Sequence, residues 1–224
     1  MGTFLVLLII GVGIYLFLKS QSQGNQTSNI QTQQISAEFR NLIDELLDDR
    51  CVILDTETTG LSNTAEIIEI SLIDSQGNVL LDTLVKPKRK MRADNKAVAI
   101  HGITNEMLEN APKWDAIHDT FCNLIKGKRV VIYNAKYDVR LLKQTADKYG
   151  LTIPEFEPEC AMMIYGAWEG TKSKYDSGYK WHKLDDAVRT LGVKVQGKSH
   201  RSLTDCLMTL GVLQKLRDTP PRRR

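Results

Sequence analysis

Four apolar residues, Cys51-Val52-Ile53-Leu54, run without interruption into Asp55-Thr56-Glu57-Thr58-Thr59-Gly60, and this junction constrains the chain more than any other stretch. A short apolar run reads as a buried β-strand. Side chains of a strand alternate between its faces, so Asp55 and Glu57 leave from the same one. Two like charges at the end of a buried strand repel each other and are costly to desolvate. A hard divalent cation removes the conflict, because such ions prefer clustered carboxylate oxygens. A local reading competes: Thr59-Gly60 is a natural turn, and a strand-ending acid often only initiates one. Two acids on one face after four apolar residues favour the metal.

Two downstream segments can complete such a site. Asn134-Ala135-Lys136-Tyr137-Asp138 follows a second apolar run, Val130 to Tyr133, and reads as strand into helix. Asn134 suits an N-cap there, and the helix dipole favours an acid at Asp138 whatever its role. His200-Arg201-Ser202-Leu203-Thr204-Asp205 enters the last amphipathic helix. Ser202-x-x-Asp205 also reads as a capping box, a purely structural use of the acid. On a helix, five steps would set His200 and Asp205 about 140° apart. Both reach one site only if His200 stands on the loop before the helix.

The ordered set of Asp, Glu, Asp, His and Asp resembles the DEDDh family of 3′–5′ exonucleases. The resemblance runs from about Cys51 to about Leu216 and is carried by LDTETTGL, HGIT (His101 to Thr104), YNAKYDVRLL and HRSLTDC. It implies an α/β domain of the ribonuclease H-like fold, a mixed sheet flanked by helices. It implies two divalent ions, Mg²⁺ or Mn²⁺. Asp55 would bridge them, Glu57 and Asp205 would complete the shell of the first, and Asp138 would support the second. His200 would be the general base, since a histidine can accept and hand on a proton near neutral pH. Thr58, Gly60, Leu61, His101, Ile103 and Asn134 would touch the substrate, although HGIT reads equally as a turn between two helices. The implied reaction releases nucleoside monophosphates from the 3′ end of a nucleic acid. LDTETTG with HGIT tilts the substrate toward DNA, with a single-stranded end preferred. An exoribonuclease of the same family is the alternative, and a catalytically inactive membrane-tethered nucleic-acid-binding module is the rival from another class.

The chain has 224 residues and 42% hydrophobic content, enough for one good-sized core but hardly two. A formal charge of +3 permits contact with a polyanion without demanding it. Basic residues gather at Lys86–Lys90, at Lys172–Lys183 and in the tail Arg222–Arg224. The second stretch, with Trp168 and Trp181 nearby, is a candidate stacking surface for a single strand. Cys51, Cys122, Cys160 and Cys206 form no C-x-x-C pair, which excludes a zinc-finger spacing and gives no sign of a disulfide framework.

Thr3 to Leu18 carries no charge, and with Met1 and Gly2 reaches roughly 18 residues, near the lower limit of a membrane-spanning helix. No basic residue precedes Lys19 and no A-x-A cleavage site is present, so the segment reads as an uncleaved anchor at residues 1–19 and not a signal peptide. Lys19 after the span leaves the catalytic part cytoplasmic, at the inner membrane. Residues 20–36 are rich in Gln, Asn, Ser and Thr and read as a flexible linker. The exonuclease-like domain then occupies 37–218, and 219–224 form a basic tail. Within the domain, strands are expected at Cys51–Thr56, Glu66–Asp74, Val79–Val85 and Val130–Tyr133. Helices are expected at Ala37–Asp49, Asn95–Ile100, Asn105–Asn110, Asp115–Ile125, Ala135–Tyr149, Ala161–Trp168, Leu184–Leu191 and Leu203–Leu216.

Overall fold

A computed structural model of the protein describes residues 28–92, 95–175 and 177–222. The expected anchor at 1–19, the first part of the linker and the end of the tail lie outside these residues. Among the described residues no helix is long and apolar enough to cross a membrane.

Strand β1 (Cys51–Thr58) is the axis of the domain. It pairs antiparallel with β2 (Ile67–Asp74), which pairs antiparallel with β3 (Val79–Leu84). On its other side β1 runs parallel to β4 (Arg129–Ile132), and β4 runs parallel to β5 (Glu157–Cys160). The mixed five-stranded order is β3-β2-β1-β4-β5, the ribonuclease H-like arrangement. The meander is closed by Asp74, whose carboxylate accepts from the backbone N–H groups of Gln76 and Asn78, each at 2.9 Å.

Alternation along the strands sorts the core onto two faces. Ile53, Ile73 and Val131 face helices α1 (Ser28–Leu46), α5 (Ala161–Glu169) and α7 (Ser202–Asp218). Val52, Leu54, Leu72, Val130 and Ile132 face α3 (Trp114–Ile125) and α4 (Ala135–Lys148). The short helices α2 (Lys96–His101) and α6 (Leu184–Leu191) complete the described elements.

Three expectations are corrected. Helix α1 is already helical at Ser28, where the described residues begin, and not only from Ala37, so residues 28–36 of the expected flexible linker are helical. Phe39, Ile43 and Leu46 dock it onto the core, and elongation from a docked turn is far easier than nucleation. Glutamine is a good helix former, and Gln34 donates to Glu38 one turn on at 3.2 Å. Residues 105–110 form consecutive turns instead of a helix. Strand β5 was not expected, because Pro158 and two glutamates mask its pattern. Proline lacks a backbone donor and is tolerated on an edge strand, which is where β5 lies.

Ile43 is fully buried between α1 and α7. Ile43→Ala should therefore lower stability by about 2–5 kcal/mol in a urea titration. An unchanged midpoint would mean that α1 is not part of the folded core.

Candidate active site

Asp55 and Glu57 stand at alternate positions near the end of β1, as strand periodicity requires, and both remain half-buried. Asp55 lies across from Ser71 and Glu57 across from Glu69, with a bulge between Glu57 and Thr58 ending the regular pairing. Asp138 and Asp205 arrive from opposite sides of the sheet. Asp138, in the first turn of α4, is buried and accepts from the Thr56 hydroxyl at 2.6 Å. Thr56 points to the face opposite Asp55, so α4 approaches the strand end from behind. Asp205, in the first turn of α7, is buried on the Asp55 side and accepts from the His200 backbone N–H at 3.2 Å.

His200 stands on the loop before α7 and is exposed, with a left-handed backbone at φ 62°. Ligand atoms of Glu57, His200 and Asp205 all lie within 4.8 Å of one another. The imidazole Nε2 is 4.0 Å from an Asp185 carboxylate oxygen. The capping-box reading of Ser202-x-x-Asp205 fails. The Ser202 backbone N–H donates instead to Glu69 at 2.9 Å, which leaves the Asp205 carboxylate for the site.

Electrostatics set these acids apart from ordinary carboxylates. Burial, then the neighbouring carboxylates of Asp138, Asp205 and Glu57, push Asp55 well above its usual range. Burial, followed by Asp205, Glu69 and Asp138, pushes Glu57 up to about 8. Burial also raises Asp138, against the opposing Thr56 hydrogen bond, and raises Asp205, against the stabilising His200 contacts. Four crowded acids that resist ionisation when alone are the donor set a hard divalent cation needs.

The expected substrate contacts divide into a surface group and a buried group. Thr58 Oγ1 lies 2.7 Å from Tyr137 Oη, and both bond the Gly60 carbonyl at 3.0 Å. That lock holds the turn that precedes Leu61, which is 81% exposed. Asn134 is exposed and makes no side-chain cap bond. His101 and Ile103 are buried instead. His101 Nδ1 accepts from the Ile103 N–H at 2.9 Å, and burial holds its imidazole below the usual range. Gly102, at φ 76°, ends α2, and the charges of Glu69, Arg201 and His200 act on the buried His101 imidazole.

Sequence reasoning missed Glu69, Arg201, Thr56 and Tyr137. None belongs to a metal-ligand pattern, and only the cross-strand register reveals Glu69. The stacking candidates also separate: Trp168 is core, with Nε1 donating to the Thr219 carbonyl at 3.0 Å. Trp181 is 58% exposed and lines a groove of about 1020 Å³ that begins at Asn134 and Lys136. The Lys86–Lys90 cluster is partly tied down, since Lys86 donates to the Glu109 carbonyl and Lys88 lies over the Tyr149 ring.

Comparison with known proteins agrees with this geometry. Residues 52–213 match the RNase T family, described as exonuclease. An uncharacterised exonuclease, CP81, of Escherichia phage 186 is 49% identical over 176 residues, covering 76% of this chain and 89% of the relative. The DNA polymerase III subunit epsilon of Rickettsia felis is 31% identical over 153 residues, covering 63% and 66%. In two PolC-type DNA polymerase III relatives the match spans 12% of their length or less. Among solved structures, exonuclease X in complex with 5′ overhanging duplex DNA superposes with a TM-score of 0.56 at 27% identity, covering 75% of this chain and 91% of the other.

A raised acid pKa means that the folded state holds protons the unfolded state releases. Stability of the metal-free protein should therefore fall as pH rises from about 4.5 toward 8, the window set by Glu57. Melting in EDTA should show this fall, and Mg²⁺ or Mn²⁺ should raise Tm more at pH 8 than at pH 5. A Tm that is flat or rising across that window, and indifferent to the ions, would sink the metal-site assignment.

Proposed function

The chain belongs to the exonuclease family, and from that premise we propose that it hydrolyses phosphodiester bonds from the 3′ end of DNA, releasing nucleoside monophosphates. The observation that carries this reading is the convergence of Asp55, Glu57, Asp138 and Asp205, with their raised pKa values, beside His200. In the proposed assignment these four carboxylates hold Mg²⁺ or Mn²⁺. When bound, the ions supply charge neutralisation for the phosphate and lower the pKa of water.

The chain's own residues account for the remaining steps. His200, on an exposed loop within reach of Glu57 and Asp205, takes a proton from the water that attacks the 3′-terminal phosphorus. The bond from phosphorus to the penultimate 3′ oxygen breaks, which frees the terminal nucleotide as its 5′-monophosphate. Leu61 supplies an apolar contact for the terminal base, its loop held by the Thr58–Tyr137–Gly60 lock. Asn134, exposed at the start of α4, borders the path of the strand. His101 and Ile103 act from beneath, by supporting the floor near Thr58 and Arg201. DNA is favoured because the epsilon and exonuclease X relatives carry it in their descriptions.

The purified enzyme should release mononucleotides from single-stranded DNA in the presence of Mg²⁺ or Mn²⁺, and more slowly from RNA of matched sequence. Asp55→Ala should abolish this while leaving the far-UV spectrum unchanged, and His200→Ala should slow turnover by about 10²–10⁴-fold. An Asp55→Ala protein that still degrades 5′-labelled DNA overturns the proposal. A higher rate on RNA transfers the activity to an exoribonuclease.

We also propose that the charge-free segment from Thr3 to Leu18 anchors the enzyme in the inner membrane with the catalytic domain on the cytoplasmic side. The support is its sequence, with Lys19 directly after the span. Full-length protein should sediment with membranes and resist extraction by high salt, whereas a chain starting at Ala37 should not. Equal partitioning of the two chains would remove the anchor.

A further inference from the structure

We propose that Glu69 and Arg201 form a positioning clamp that holds His200 over the carboxylate cluster. This rests on the reading of His200 as the general base. Glu69 is 3% exposed and lies directly across from Glu57 in the β1–β2 register. Its two oxygens accept from Arg201 Nε at 2.9 and 3.1 Å, and one also accepts from Arg201 Nη2. The Ser202 backbone N–H donates to it as well, at 2.9 Å. A buried carboxylate bound by a planar guanidinium fork and a backbone donor is fixed in both place and orientation.

The two residues so fixed are the first and second after His200. On the other side of the imidazole's own backbone, the His200 N–H donates to Asp205. His200 is thus held from both directions at φ 62°, a conformation that a non-glycine residue keeps only when its surroundings impose it. A further latch runs from Ser202 Oγ to Ser71 Oγ at 2.6 Å, and from Ser71 to Asp82 at 2.7 Å. Among the described residues, the exposed imidazole has only the 4.0 Å contact to Asp185 among its ion pairs. Its position relative to Glu57 and Asp205 is therefore set by backbone, and the backbone is set by Glu69 through Arg201 and Ser202.

Arg201 is partly exposed and its charge also acts on Glu57, so a direct contact with substrate phosphate is the competing role. A double-mutant cycle separates the two. Steady-state kinetics on a single-stranded DNA oligonucleotide would be measured for Arg201→Ala, Arg201→Lys, His200→Ala and the double variant His200→Ala/Arg201→Ala. A clamp predicts that Arg201→Ala lowers kcat by about 100-fold with KM nearly unchanged, the loss expected from a base displaced by about 1 Å. Arg201→Lys, which keeps the charge but not the fork, should recover part of that loss. In the His200→Ala background, Arg201→Ala should then lower kcat no further, because it acts through the missing imidazole.

An equal loss in both backgrounds, a raised KM with kcat intact, or a silent Arg201→Ala each overturns the clamp. A fully active His200→Ala enzyme would remove the general base and the clamp together. An inactive His200→Ala beside a silent Arg201→Ala would remove the clamp alone. Arg201→Ala leaves Glu69 as a buried charge without its partner, which can prevent folding. In that event Glu69→Gln/Arg201→Ala is read in the same cycle, since it removes the charge and keeps an amide oxygen for the Ser202 N–H.

Discussion

Four carboxylates share one poorly solvated volume at the end of β1, and the surrounding structure has to hold them there against their mutual repulsion. Burial is the largest influence on each of the four, and their neighbours' charges add to it for Asp55 and Glu57. Arg201, the cation that acts on Glu57, is already engaged by Glu69. Burial and crowding therefore keep protons on these acids, and a cation that binds them displaces those protons. Under the proposed function, stability and activity would draw on the same interaction, since the ion that relieves the repulsion would also be the one that neutralises a phosphate.

Holding such a cluster requires a rigid frame on both sides. β1 is central in the sheet and apolar residues fill both of its faces, which keeps the strand end from fraying. α4 brings Asp138 against Thr56 from one side, and α7 brings Asp205 from the other. The Cys206 thiol, one residue beyond Asp205, contacts the backbone carbonyls of Ile53 and Ser71 at 3.6 and 3.4 Å. α7 is thereby seated on β1 and β2 directly beside Asp205. Small displacements of that helix would move Asp205 and the His200 loop together, so the packing of α7 belongs to the chemistry as much as to the core.

Some elements follow from local rules and others do not. Strands β1 to β4 and helices α3, α4, α5, α6 and α7 could be read from the sequence, because each carries its own apolar run or periodicity. β5 could not, since Pro158 and two glutamates carry no strand signal, and an edge position supplied by the sheet makes them tolerable. The helical state of residues 28–36 was hidden for the opposite reason: a polar segment has no stripe of its own and extends a helix docked elsewhere. HGIT and the Ser202–Asp205 spacing each allowed a structural and a functional reading. His101 and Ile103 are buried and Gly102 ends a helix, so the structural reading of the first holds without deciding the functional one, and Glu69 takes over the cap that would have occupied Asp205.

The sequence by itself determined that Asp55 and Glu57 share a face, that Asp138 opens a helix, and that His200 must stand off the helix of Asp205. These are consequences of backbone periods of two and 3.6 residues, which depend only on nearby residues. Only the tertiary structure decided that the four acids meet, that their protons are held tightly, and that Glu69 pairs with Arg201 instead of joining Glu57 as a further free acid. Desolvation and cross-strand register arise from atoms brought together across more than a hundred residues of chain, such as the 132 separating Glu69 from Arg201, and no local pattern encodes them.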